Sequence, residues 1–243
     1  VLNDLINSFL RVPLPNNFIE KHQLLYDPAT HLHLICCEYN QQNFDLDLYA
    51  KMSIEMPLFL KNLPKKRQSE YLAGRYAAKM ALSLLRKKEC LEQVTTGPHK
   101  EPVFPKDTNG ALTHSHRIAV CAVMPSNSKS FLGVDIEPII TSKDLCVLQH
   151  RVYALEELKL LVNLGLSPEL AATVLFSAKE SIYKSLSSLL NGGICFDLFE
   201  LKIAKKNGAS LILYFNVLDE HFASYIMVSA KNYKNHVLTL ALN

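Results

Sequence analysis

Three features of the sequence predict an α+β fold: two long segments with helical spacing, several short β-like apolar runs, and turn-forming residues between them. Residues 31–38 alternate loosely and are rich in Leu, Ile and Cys, which reads as a strand. Residues 66–86 place Tyr71, Leu72, Ala78, Leu82 and Leu85 near helical spacing, with Pro64 suited to the helix start. Residues 97–110 hold three prolines and two glycines and read as a loop. The apolar runs 118–124 and 131–136 flank a Pro-Ser-Asn-Ser-Lys-Ser segment and are expected to be adjacent strands joined by a turn. Residues 153–164 suit a helix stopped by Gly165. Ser167 and Pro168 then open another as N-cap and first helical residue, running to about residue 190, where Asn191, Gly192 and Gly193 would end it. The runs at 199–204, 211–217, 223–229 and 237–242 read as short antiparallel strands. Residues 125–130 are the best boundary between two halves, 1–128 and 129–243.

With 243 residues, 49% of them hydrophobic, the chain can bury a core in one large domain or two small halves. No stretch approaches the ~20 consecutive apolar residues that span a bilayer. The first ten residues carry Asn3, Asp4 and Asn7 and lack the basic and apolar regions of a signal peptide. The six cysteines form no CxxC pair, and Cys36, Cys37 and Cys121 lie in apolar runs, so a reducing cytoplasm is expected. A net charge of +3 does not argue for nucleic acid, and no nucleic-acid recognition motif is present. Basic residues do concentrate between Lys61 and Lys88, relieved only by Glu70. That cluster suits a phosphate-rich ligand or an acidic protein, and equally a solvated helix face.

Two groups of residues carry chemistry. In the run from Phe131 to Pro138, Leu132, Val134 and Ile136 share one strand face while Gly133, Asp135 and Glu137 share the other. Two carboxylates two residues apart on one face repel unless a positive charge lies between them. A hard cation such as magnesium resolves that repulsion; a strand end turning polar at the solvent boundary is the plainer alternative. In the second group, Glu180 and Lys184 share a helix face and Lys179 lies about 100° round from Glu180. The pair fits either an ordinary surface interaction or a carboxylate and two ammonium groups around a phosphate ester.

Gly133-Val134-Asp135-Ile136-Glu137, followed about forty residues on by Lys179-Glu180-Ser181-Ile182-Tyr183-Lys184, resembles the paired signature of 4′-phosphopantetheinyl transferases. Glu70-Tyr71-Leu72-Ala73-Gly74-Arg75 resembles the Glu-x-x-Ala-Gly-Arg helix of the enterobactin-synthase component D branch. The segment from Gly97 through Lys100 and Pro102 to Pro105 resembles its Gly/Lys/Pro loop, and Thr113-His114-Ser115 its Ser-His segment. The motifs occur in order from Arg67 to Lys184.

The resemblance implies a monomer of two similar, pseudo-symmetric α+β halves with coenzyme A in the cleft between them. The reaction it implies is magnesium-dependent transfer of 4′-phosphopantetheine from coenzyme A to a serine of an apo carrier protein, releasing 3′,5′-ADP. Asp135, Glu137 and Glu180 match its magnesium ligands, and Glu180 also matches the base. Lys184 matches a lysine that stabilises the departing phosphate, and Lys179 its neighbour. Arg67, Arg75, Lys100, Pro102, Thr113 and His114 match the coenzyme A side, with the 3′-phosphate expected at His114. The likeness leans toward a peptidyl or aryl carrier of siderophore or nonribosomal peptide synthesis rather than the acyl carrier of fatty-acid synthesis. Phe176 stands where many relatives have Trp, and Thr113 where they have Ser. His116 has no counterpart in these motifs. An inactive module that binds coenzyme A or a carrier protein is the rival reading.

Overall fold

The structure, a computed structural model, describes residues 2, 6–8, 14–98, 100–126, 131–149, 151–186, 196–218 and 225–242. The chain divides into two compact units, Leu5–Ser128 and Lys129–Asn243 with Val1–Asp4. Each is α+β, built as a five-stranded antiparallel sheet crossed by one long helix.

In the N-terminal unit the sheet order is β1 (Ile6–Ser8), β2 (Ile19–Asp27), β3 (Leu32–Tyr39), β7 (Ile118–Pro125), β6 (Thr108–Ser115). A short helix α1 (Asp47–Lys51) precedes α2 (Lys65–Arg86), which packs on β7, β3 and β6. Ala73, Ala77, Ala78 and Ala81, none more than 1% exposed, let α2 lie close to the sheet, while Leu72 and Leu82 fill the space between. The helix ends where Lys87 turns left-handed (φ 54°) and returns its N–H to the Ser83 and Leu84 carbonyls. A two-residue ladder, β4 (Thr95–Thr96) with β5 (Pro102–Val103), stands inside the segment the sequence reads as loop, and β6 begins at Thr108 rather than beyond Gly110.

The C-terminal unit orders its strands β8 (Leu132–Pro138), β12 (His236–Leu242), β11 (Tyr225–Tyr233), β10 (Ser210–Val217), β9 (Phe199–Asn207). Helices α3 (Ser142–Gln149) and α4 (Leu155–Val162) precede α5 (Pro168–Leu186), which packs on β8, β12 and β11. The Leu170 N–H donates to Ser167 Oγ at 3.3 Å, the N-cap expected from Ser-Pro. The expected end of this helix at residues 191–193 lies outside the described residues. The structure corrects the proposed hairpin of 118–124 with 131–136. Both are strands, but β7 has β3 and β6 on its two edges, and β8 pairs with β12 in the other sheet. Among the described residues no helix is long and apolar enough to cross a membrane.

Candidate active site

The two long-separated acidic motifs meet because α5 lies directly on the acidic face of β8. Gly133 makes this possible. A Cβ there would fall 1.8 Å from the Ser181 carbonyl oxygen and 2.9 Å from the Ser185 nitrogen, both helix backbone atoms. Two residues on, Asp135 is 1% exposed. Its Oδ2 accepts from Ser177 Oγ at 2.8 Å and its Oδ1 from Lys184 Nζ at 2.5 Å. Ser177 is fixed in turn by Thr239 of β12, which sits opposite Asp135 in the ladder and donates to the Ser177 carbonyl at 2.8 Å. The acidic face is therefore covered by a helix rather than by solvent.

Lys184 Nζ also stands 3.9 Å from Glu180 Oε2, with the two side chains 29% and 25% exposed. Asp135 is thus the closed end of the cluster, and Glu180 and Lys184 open toward solvent. Burial pushes the Glu137 carboxyl up to about 7; Asp135 and Glu180 push the same way and the Lys184 ammonium opposes them. Burial likewise raises Glu180, opposed by Lys184 and assisted by Asp135. Three carboxylates therefore share one field with a single ammonium near two of them. Carboxylate oxygens are the donors a hard divalent cation takes, and such a charge would favour the ionised forms of Glu137 and Glu180 against the burial that raises them. Among the described residues no three His, Cys, Asp or Glu are gathered closely enough to hold a metal ion, and the cation against Asp135 is Lys184.

Lys179 does not join this group. It is 2% exposed, with Nζ 2.9 Å from Glu157 Oε2. That oxygen also accepts from the Ala154 N–H, and Oε1 accepts from the Leu201 N–H, each at 2.8 Å. Burial lowers the Lys179 pKa while the Glu157 carboxylate opposes the shift. The pair braces α5 against α4 and β9, next to the turn of α5 that carries Glu180. Glu157, Ser177 and Thr239 were absent from the sequence reading. Position 154 is alanine, so no Ser/Thr-x-x-Glu capping signal marks Glu157 in the sequence. Ser177 and Thr239 join only through the tertiary fold.

In the N-terminal unit, Gly74 of α2 lies against Leu112 of β6, whose Cδ2 is 3.1 Å from where a Cβ would sit. Leu112 and His114 share a face of β6, so this close approach brings His114 to the side of the sheet that α2 covers, where Arg75 follows Gly74. Thr113 points the other way and is 5% exposed. Arg75 is 6% exposed, and its Nη2 donates to the Thr95 carbonyl at 2.9 Å and Thr96 Oγ1 at 3.1 Å. Its guanidinium also lies over the Tyr71 ring, 4.4 Å from the centroid. Arg75 thereby holds the β4–β5 ladder through one terminal nitrogen, while its buried Nε has no hydrogen-bond partner among the described residues. Pro102 pairs with Thr96 in that ladder, and exposed Lys100 has left-handed φ 67° beside it. Arg67 is exposed and bonded to buried Glu70 at 2.9 Å. His116 sits in the β6–β7 turn at φ 50°, where its carbonyl accepts from Tyr39 Oη at 2.7 Å.

Residues 55–124 match the family model of the 4′-phosphopantetheinyl transferase N-terminal domain, and residues 131–241 that of the 4′-phosphopantetheinyl transferase superfamily. The chain belongs to the 4′-phosphopantetheinyl transferase family. The two matches together take in both units and contain Asp135, Glu137, Glu180 and Lys184. Among relatives of this transferase family, enterobactin synthase component D of Escherichia coli O157:H7 is 35% identical over 126 residues, covering 52% of this chain and 58% of the relative. The protein of the same name from E. coli K12 is 34% identical over 126 residues, with the same coverage, 52% and 58%. That from Salmonella typhi is 33% identical over 128 residues, covering 53% and 52%. The chain spans about half the length of the curated relatives it matches.

Proposed function

We propose that the chain transfers 4′-phosphopantetheine from coenzyme A to a serine of an apo carrier protein, with magnesium, releasing 3′,5′-ADP. The observation that carries this reading is the close seating of α5 on Gly133, which gathers Asp135, Glu180 and Lys184 with Glu137 in their field. Membership of the transferase family supports the reaction class. The similarity to enterobactin synthase component D favours a peptidyl or aryl carrier of siderophore or nonribosomal peptide synthesis. The working form in this proposal is a cytoplasmic monomer.

In this mechanism the serine oxygen forms a bond to the phosphorus that bears the pantetheine arm, and the bond from that phosphorus to the bridging oxygen breaks. Glu180, directly or through one water, takes the serine proton. Asp135, Glu137 and Glu180 would hold magnesium, whose charge offsets that of the pyrophosphate. Lys184, partly exposed and near both Asp135 and Glu180, is assigned to the phosphate that leaves as 3′,5′-ADP. Ser177 and Thr239 keep Asp135 oriented. His114 is assigned to the 3′-phosphate and Arg67 to the helix entrance, while Thr113, on the opposite face of β6, supports the strand that carries His114. Lys100 and Pro102 are assigned to the adenine side, on the ladder that Arg75 holds.

The test is intact-mass spectrometry of an apo peptidyl carrier domain after incubation with the protein, coenzyme A and magnesium. A gain of one phosphopantetheine group, lost on chelation, is the expected result. Coenzyme A binding without that gain would instead make the chain an inactive binding module.

A further inference from the structure

We propose that the sheet face of the C-terminal unit turned away from α5 docks, toward its β9 edge, an acidic amphipathic helix of a partner protein distinct from the acceptor. Strands β9, β10 and β11 hold none of the residues assigned to the transfer, so this goes beyond the transferase reading. Side chains alternate across a strand, and the register fixes which of them share a face. Leu213, Phe215, Val228 and Ala230 are buried in the core beneath α5. Ile212, Tyr214, Tyr225 and Met227 therefore point the other way. Ile203 of β9 stands opposite Tyr214, and Tyr214 opposite Met227, so three large apolar side chains make one row across three strands. Ile212 and Tyr225 flank the row on its two sides. Ile203 is 45% and Tyr225 59% exposed, and the other three are half-buried. Isolated exposed apolar side chains are ordinary, but five adjoining on one face form a patch. Every member lies in a paired strand, and β9 is further tied to α4 where the Leu201 N–H donates to Glu157 Oε1 at 2.8 Å. A surface held this way loses little conformational freedom when a partner covers it.

The charge around the patch gives the kind of partner. Lys205, opposite Ile212, and Lys231, opposite Ser210, stand on the same face, and neither makes an ion pair among the described residues. Lys202 and Lys206 are exposed on β9 as well. Against these lysines, Glu200 is the single carboxylate in strands β9 to β12, and Lys202 already holds it at 2.6 Å. Cations around an apolar row fit a helix that offers carboxylates beside an apolar stripe, laid on the sheet as α5 is laid on its other face. A second copy of the chain would bring like charges together. A single-stranded nucleic acid would satisfy the lysines and stack on the tyrosines but leave Ile203 and Met227 uncovered. A bilayer takes up apolar side chains that project into it, and three of the five here are half-buried.

The experiment follows the fluorescence anisotropy of a labelled model helix of about 18 residues, with glutamates flanking a leucine stripe. Wild type is compared with Lys205→Glu/Lys231→Glu and Ile203→Asp, each checked for a wild-type urea midpoint. Both variants should weaken binding about tenfold at low ionic strength. Added salt should shrink the lysine effect and leave the Ile203 effect. Charge reversal on α2, Lys65→Glu/Lys66→Glu, should leave the affinity unchanged. Absence of binding to wild type overturns the proposal, as does unchanged affinity in both sheet variants or an equal loss in the α2 variant. Vesicles of phosphatidylcholine with phosphatidylserine and a single-stranded oligothymidylate are the rival probes. Binding of either, lost in the sheet variants while the model helix still binds them, also overturns it. Transfer to an apo peptidyl carrier domain should proceed in both sheet variants with the carrier KM of wild type. A raised carrier KM would give this face to the acceptor and overturn the proposal of a separate partner. If wild type transfers nothing, the proposed function fails by itself, and the anisotropy still judges the docking.

Discussion

Substituting Gly133 with alanine adds one methyl group at the point where β8 and α5 touch. That methyl would lie 1.8 Å from the Ser181 carbonyl oxygen, far inside van der Waals contact. The opposing atoms are helix backbone, so no side-chain rotation relieves the clash, and α5 must withdraw by more than about 1 Å. The 2.8 Å Ser177 and 2.5 Å Lys184 bonds to buried Asp135 then stretch or break. Overpacking of this kind costs about 1–3 kcal/mol. Weakening hydrogen bonds to a buried charge adds roughly 1.5–3 kcal/mol. Urea unfolding of Gly133→Ala should therefore show a loss of about 3 kcal/mol or more, and carrier modification should fall at least tenfold in the fraction that remains folded. A loss below about 0.5 kcal/mol with unchanged transfer would refute the reasoning, because α5 would then not be seated on β8 as described.

Lys179→Met strands the Glu157 carboxylate in the interior and should lower unfolding stability by roughly 3–5 kcal/mol, partly recovered by adding Glu157→Gln; an unaltered urea midpoint would mean that the pair is not buried. Asp135→Asn keeps the shape of the side chain and should abolish transfer while circular dichroism stays native. Turnover like wild type would remove Asp135 from the chemistry. Burial lifts Glu137 from 4.5 to about 7, so in that interval the native state binds more protons than the unfolded chain. Without a divalent cation its contribution is fully present below pH 4.5 and is lost as pH rises through 7, about 3 kcal/mol in all. The stability difference between wild type and Glu137→Gln, followed by urea unfolding from pH 4 to 8, should change by that order. A flat difference would contradict the shift.

The long helices and the C-terminal strands were legible because their apolar residues repeat at helical or strand spacing over many positions. Helix α3 has no buried residue, so its pattern is weak, and β2 carries a register irregularity between Ile19 and Lys21 that breaks its alternation. The strand partner of β8 was illegible for a different reason. Proximity in sequence favours β7, but the last strand of the chain, β12, takes that edge. Asp135, Glu137, Glu180 and Lys184 could be named from the two motifs together, whereas the glycine that lets them meet reads in sequence only as part of one motif. Lys179 and Arg75 show the converse. Their partners inside the protein, Glu157 and the Thr95 carbonyl, lie outside the motifs and are not legible from them.

The central claim is that the carboxylates on β8 and α5 perform the transfer. Glu180→Gln keeps the side-chain volume and removes the base. Single-turnover modification of an apo peptidyl carrier domain, with coenzyme A affinity measured in parallel by calorimetry, should show a rate lowered about 100-fold or more and affinity within about threefold of wild type. A rate equal to wild type at saturating coenzyme A and magnesium would contradict the account.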